Sequence, residues 1–333
     1  MNKLVLLLSF FLAMAITYFV GLYVLPILKR RECVQAINKD GPTWHASKSR
    51  TPTMGGITFI FGIIVAAMTG YGLFVVYGDT DFSFNLSGIL AGLFLAIGFG
   101  LVGFADDYLK VVRRQNLGLK AREKFVMQLA ITCAYLLQTS LLNGRTNILV
   151  IPFYGQCNLG WFIYFIHAFI ILGCVNGVNL TDGIDGLASS VTAIAAIGLL
   201  CLSLTMGNLS AALLSICLVG GCIGFLCWNF HPAKVMMGDI GALFLGGVVA
   251  AIAFSLGTPA ALMFFGVIYV IETLSVIIQM GYYHFTKKRI FKMTPIHHHF
   301  ELSGYDEIQI NLLFMCVETI GCIMGILSVR NVF

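Results

Sequence analysis

Apolar stretches of about 20 residues recur along almost the whole chain, and no other feature limits its possible folds so strongly. With soft ends they cover 4–28, 53–77, 87–105, 125–142, 161–178, 187–206, 209–229, 240–256, 259–285 and 307–328. A helix needs about 20 apolar residues to cross a bilayer, and within lipid every backbone N–H and C=O must be bonded internally. A membrane barrel would meet that need with strands alternating apolar and polar residues, whereas these runs are continuously apolar. The expected fold class is all-α: a polytopic membrane helix bundle of about ten transmembrane helices, forming a single domain over 1–333. Composition agrees, with 59% hydrophobic and only 11% charged residues, against about 25% charged in soluble domains.

Positive charge orients the bundle. Lys29-Arg30-Arg31 after the first run is more basic than Lys3 before it, so the N-terminus is expected outside and the following loop in the cytoplasm. Ten spans return the C-terminus to the outside. Of the 20 Lys and Arg, all but Lys3, Arg145 and Arg330 then fall on inner loops. The first run is too long for a signal peptide and lacks a small-residue cleavage site. The bilayer is the expected partner, with no role for nucleic acid. Ten cysteines form no CxxC pair, and most sit in apolar runs, where Cys acts as a small hydrophobe. On the outer side, 148–153 reads as a β-like run able to form a hairpin, and Gly207-Asn208 and Gly257-Thr258 read as tight turns.

The segment 176–187, Asn-Gly-Val-Asn-Leu-Thr-Asp-Gly-Ile-Asp-Gly-Leu, breaks the apolar pattern with Asn176, Asn179, Asp182 and Asp185 spaced by threes. Its glycines are expected to let the backbone unwind near a ligand. Asp106-Asp107 is expected to end the third span and Asp239 to begin the eighth. Five carboxylates at mid-membrane would cost on the order of 12–17 kcal/mol, and placing them at span ends on the cytoplasmic face avoids most of it. The same face carries Lys48, the basic loop 110–124 and His297-His298-His299. Carboxylates that hold Mg²⁺, cations that neutralise phosphate oxygens and a base nearby are the needs of phosphoryl transfer. Each group also has a plainer reading. Asp106-Asp107 can pair with Lys110 and Arg113, Asp182 or Asp239 can be a helix cap, and Lys48 can be a topology charge. Three adjacent histidines cannot all converge on one zinc ion from regular backbone. For Thr51-Pro-Thr-Met-Gly-Gly56, tight helix packing is the leading reading, with an indirect role in holding Lys48 over the site.

Together Thr51–Gly56, Asp106-Asp107-Tyr108, the 176–187 segment, Met237-Gly-Asp239 and Pro295-Ile-His-His-His-Phe-Glu301 resemble the phospho-N-acetylmuramoyl-pentapeptide-transferase family, a branch of the polyprenyl-phosphate N-acetylhexosamine-1-phosphate transferases. The resemblance covers nearly the whole chain. It implies Mg²⁺-dependent transfer of phospho-N-acetylmuramoyl-pentapeptide from UDP-N-acetylmuramoyl-pentapeptide to undecaprenyl phosphate, with release of UMP, at the bacterial cytoplasmic (inner) membrane. By motif it implies Asp239 as metal ligand with Asp182 beside it, Asp106 and Asp107 as the catalytic pair, and His297 among the catalytic groups. It also implies Asn176, Asn179, Asp182, Asp185, Lys48, His298 and His299 as substrate contacts, and Lys110, Arg122 and Lys124 as partners of the lipid phosphate. A homodimer is left open.

The chain departs from the family pattern at four places. Arg50 replaces the usual Gly, Met236 replaces a Phe suited to stacking on uracil, and Ile240 and Ala242 replace two hydroxyl residues after the motif Asp. A direct attack by the lipid phosphate and a two-step route through an aspartyl-phosphate on Asp106 or Asp107 are both compatible with the residues, and the direct route is preferred because a phosphate dianion is already nucleophilic. Two rivals are a sister N-acetylglucosamine-1-phosphate transferase and an ion-coupled transporter. The triple histidine argues against the first. The second expects acids near the midplane between inverted repeats, and no repeat is found.

Overall fold

The computed structural model describes residues 2–31, 51–77, 84–113, 118–143 and 147–330, so Lys48 and Arg50 lie outside the described residues. Its elements in order are α1 (Asn2–Arg30), α2 (Ile57–Tyr77), α3 (Leu86–Arg113), α4 (Ala121–Asn143), β1 (Ile148–Ile151), β2 (Gly155–Asn158), α5 (Ile163–Thr181), α6 (Leu187–Thr205), α7 (Leu209–Asn229), α8 (Gly238–Ser255), α9 (Leu262–Phe265), α10 (Val267–Thr286), α11 (Ile296–Glu301) and α12 (Glu307–Arg330). Among the described residues, nine helices are long and apolar enough to cross a membrane. The protein is a multi-pass, all-α membrane protein.

Three expectations are corrected. The ninth span is not one straight helix: α9, with the short turn Pro259–Ala261 before it, and α10 meet at Gly266 and bend by 86°. Helix α3 does not stop at Asp106-Asp107 but continues to Arg113, because Lys110, four residues on, neutralises the acids within the helix. The 176–187 segment does not unwind at its first glycine. Helix α5 runs through Gly177, whose bare Cα lets Tyr269 of α10 pack against it, and the turn begins only at Asp182.

Helices α7 and α8 form the centre of the bundle, with almost every residue buried. Small residues set the closest approaches, as expected where lipid supplies no hydrophobic drive between helices. A methyl on Gly56 would overlap Gly241, and one on Gly103 would overlap the Asp239 carbonyl. The outer hairpin forms as expected, with Ile148 opposite Asn158 and Ile151 opposite Gly155. Gly207 and Gly257 take positive φ at the tight turns, and Asn208 accepts the Ala211 amide at the start of α7.

Near the hairpin, the outer ends of α3, α4, α5 and α8 wall a hollow of about 900 Å³ lined by groups such as Tyr135, Ser140, Tyr164, His167 and Asn208. No Asp, Glu, Lys or Arg lines it among the described residues. Among the described residues, the charged side chains of α3, α4 and α8 sit toward the opposite ends of these helices.

Candidate active site

Gly103 is where the site begins. One turn before Asp106, it brings α3 into backbone contact with the first turn of α8, so that acids 132 residues apart in sequence meet. Gly238, with φ of 73°, turns the chain into α8 where a side chain would strike the Asp107 carboxylate. The Thr51–Gly56 stretch secures this entry. Met236 N donates to Pro52 O at 2.8 Å, Gly55 N to Met236 O at 2.9 Å and Gly56 N to Met237 O at 3.0 Å. The motif therefore braces the irregular segment that delivers Asp239.

Carboxylate oxygens of Asp106, Asp107 and Asp239 lie within 4.8 Å of one another. Lys110 Nζ is 2.6 Å from Asp106 Oδ2 and donates to Asp239 Oδ2 at 3.0 Å. Lys124 Nζ, from α4, donates to the same oxygen at 2.8 Å. Asn179 Nδ2 donates to Asp239 Oδ1 at 2.9 Å. Asp106 Oδ1 accepts the Leu119 amide at 2.7 Å, and Asp107 Oδ2 accepts the Ile240 amide at 3.0 Å. Groups from α3, α4 and α5 thus converge on Asp239 of α8. Three hard oxygen donors at this spacing can hold a metal ion, and they suit a hard divalent cation better than a soft one.

Asp182, just past the end of α5, sits in the field of the same group. Burial raises its carboxyl pKa well above the ordinary range, and the charges of Asp239, Asp107 and Asp185 push it further. Four acids thus face two lysines, and a bound cation would let more of them ionise.

The other expected site residues are placed separately. Asn176 turns away from Asp239 and exchanges hydrogen bonds with Gln128 of α4, at 3.0 and 3.3 Å. The Asp185 carboxylate accepts the Ala233 amide and meets His231 Nδ1, both at 3.0 Å, while its own amide donates to Glu307. Arg122 is exposed on the first turn of α4. The three histidines go to three partners: His297 Nδ1 to Glu272 at 2.9 Å, His298 Nδ1 to Glu301 at 2.6 Å, and His299 Nδ1 to the Lys292 amide at 3.1 Å. His297 is fully buried and its Nε2 edge lies over Gly183, where a methyl would collide with it. It supports the 182–185 turn from below.

Sequence reasoning missed Gln128, His231, Glu272, Glu307 and Asn311. Glu272 left a signal, since a lone acid within an apolar span marks a functional or structural partner. Asp185, His231 and Glu307 form a second group with metal-ligand spacing, and Asn311 Nδ2 ties the Asp185 carbonyl to α12 at 2.8 Å.

A bundle of membrane helices whose ends gather carboxylates and lysines into one cluster matches what comparison with known proteins finds. The family described as "Glycosyl transferase family 4" matches residues 89–257, which places the chain among membrane phospho-sugar transferases. Proteins named phospho-N-acetylmuramoyl-pentapeptide-transferase are similar along nearly their whole length. That of Desulforudis audaxviator (strain MP104C) is 39% identical over 334 residues, covering 96% of each chain. That of Desulforamulus reducens is 41% identical over 322 residues, covering 95% of this chain and 93% of its own. That of Staphylococcus aureus (strain Newman) is 39% identical over 319 residues, covering 95% and 96%. The chain belongs to the phospho-N-acetylmuramoyl-pentapeptide-transferase family.

Proposed function

We propose that this protein, acting as one domain over residues 1–333, transfers phospho-N-acetylmuramoyl-pentapeptide from its UDP carrier to undecaprenyl phosphate at the inner face of the bacterial cytoplasmic membrane. UMP is released and the first lipid-linked intermediate of peptidoglycan synthesis is formed. The observation that carries the reading is the meeting of Asp106, Asp107 and Asp239 with Lys110 and Lys124 at one set of helix ends. Neither rival has comparable support: the relatives are named for the muramoyl-pentapeptide reaction, and the cluster lies at helix ends and not at mid-span.

The physical problem is the approach of two anions, a diphosphate from water and a lipid phosphate from the bilayer. Mg²⁺ held by Asp239 with Asp106 and Asp107, and with Asp182 beside them, would supply charge neutralisation at the β-phosphate and polarise the leaving group. The chain's own residues do the remainder. Lys110 and Lys124 are poised to exchange carboxylate oxygens for phosphate oxygens, so the lipid headgroup meets positive charge as it enters sideways. Asn179 holds Oδ1 of Asp239, so that Oδ2, once released by the lysines, is the oxygen that would meet the cation. Asn176, Asp185, His298, His299, Lys48 and Arg122 would serve as contacts of the nucleotide sugar, the first four on exchanging their present protein partners for substrate.

The geometry favours direct attack by the lipid phosphate. Asp107 is almost fully buried and anchored by the Ile240 amide, and Asp106 is held by the Leu119 amide and Lys110. Carboxylates anchored in this way are suited to holding charge in place more than to travelling to phosphorus. The test is radiolabelled UDP-N-acetylmuramoyl-pentapeptide with undecaprenyl phosphate, with and without Mg²⁺. Lipid-linked product is expected only when all three are present. A burst of UMP without the lipid acceptor would overturn the direct route.

A further inference from the structure

Glu318 is an acid in the middle of α12, fully buried, and the chemistry above does not use it. A charged group at a span centre costs about 2.5–3.5 kcal/mol even on the lenient scale, so its contacts must justify its place. Glu318 Oε2 accepts the Ile268 amide at 3.0 Å. Ile268 is the second residue of α10, and its amide is one of those at a helix start with no acceptor inside the helix. The break at Gly266 creates that need, because α9 ends there and the path bends by 86°. Within lipid an unbonded N–H costs several kcal/mol, and the positive end of the helix dipole favours an anionic or strongly polar acceptor. Glu318 Oε1 has no hydrogen-bond partner among the described residues, so the bond to α10 is the polar contact that holds this carboxyl.

Helix α10 transmits that anchoring to the site. One turn beyond Ile268, Glu272 holds His297 Nδ1 at 2.9 Å, and His297 lies against Gly183 between Asp182 and Asp185. We infer that Glu318 is a positioning residue: it caps α10 from the neighbouring helix, fixes the bend, and so sets the height of the Glu272–His297 pair beneath the 182–185 turn. The inference rests on the transferase reading above, and its test therefore includes a measurement independent of turnover.

Two variants of the full chain in nanodiscs separate the possibilities. Glu318→Met keeps an unbranched side chain of similar length but removes the acceptor, whereas Glu318→Gln keeps an acceptor oxygen without the charge. In Glu318→Met, amide hydrogen exchange over 267–271 is expected to accelerate about tenfold. Its kcat for UMP release should fall about tenfold or more, since small misplacements near a reacting centre cost that much, with the KM for the nucleotide sugar little changed. Glu318→Gln should restore both the protection and most of kcat. Unchanged exchange in Glu318→Met overturns the cap, and faster exchange with unchanged kcat overturns the link to the site. The exchange pattern appearing in a protein with no transferase activity supports the cap and counts against the proposed reaction instead. If Glu318→Met is not recovered folded, Glu318→Asp, which withdraws the carboxylate by one methylene, should show intermediate losses of both, and wild-type behaviour in it overturns the inference.

Discussion

Lys124 on α4 and Asp239 on α8 stand 115 positions apart in the chain, yet their side chains are bonded at 2.8 Å at the inner ends of the two helices. Asp239 also receives Lys110 from α3 and Asn179 from α5. It is the point on which the site converges, and the consequences can be measured.

Replacing Asp239 by Asn keeps shape but removes the charge that a divalent cation needs and turns one of two acceptor oxygens into a donor. Asp239→Asn is expected to lower turnover by at least about a hundredfold, the scale of losing one preorganised electrostatic contact, while the protein still folds. Near-normal UMP release would remove Asp239 from the metal role.

Lys110 neutralises three carboxylates from a largely buried position. Breaking a buried pair by removing one partner costs about 3–5 kcal/mol. Lys110→Met should therefore be clearly less stable than wild type in chelator, and added Mg²⁺ should restore more stability to the variant than it adds to wild type. Thermal unfolding across a Mg²⁺ series reads this directly, and equal Mg²⁺ responses would show that the carboxylates do not share a cation.

Asp182 has its carboxyl pKa raised, first by burial and then by Asp239, Asp107 and Asp185. Because the folded state then binds the proton more tightly than the unfolded state, stability falls as pH rises from the ordinary carboxyl range toward the folded value. In metal-free buffer Asp182→Asn, which mimics the neutral acid, should melt above wild type at pH 8, and the gap should close as pH falls toward the ordinary carboxyl range. A constant gap across pH would contradict the assigned cause.

Gly183→Ala pushes a methyl onto His297 Nε2. A loss of activity is expected, and in a double-mutant cycle with His297→Ala the two losses should not add, because both act through one contact. Full additivity would separate the glycine from the histidine.

Gly103→Ala and Gly72→Ala test packing against propensity. A methyl at 103 overlaps the Asp239 carbonyl, whereas nothing lies within 4 Å of one at 72. Gly72→Ala should be neutral or stabilising by up to about 1 kcal/mol, while Gly103→Ala should lower both stability and turnover. Comparable melting curves for the two would remove Gly103 from its role at the site.

Much of the fold was legible because lipid imposes long apolar helices and basic inner loops, each visible locally. Nine spans, the outer hairpin and the two outer turns were readable for that reason. The break at Gly266 was not, because residues 259–271 on both sides of it are uniformly apolar and read as one continuous span. Only Glu318, 50 positions from the amide it caps, reveals why the helix can stop there.

At the candidate site the residue types were readable and their pairings were not. Asn176 and Asn179 lie three apart on α5, yet one faces Gln128 and the other Asp239, a choice made by which neighbouring helix occupies each side. Asp106 and Asp107 look like the end of a span, but Lys110 on the next turn keeps them within it.

What the chain alone determined is the medium it lives in and the inventory of charged groups it carries there, since charge and apolar length act through the bilayer without reference to neighbours. What only the tertiary structure decided is which acids share a cluster. That depends on how closely helices approach at Gly103 and Gly241, and close approach is a property of two surfaces that no single stretch of sequence contains.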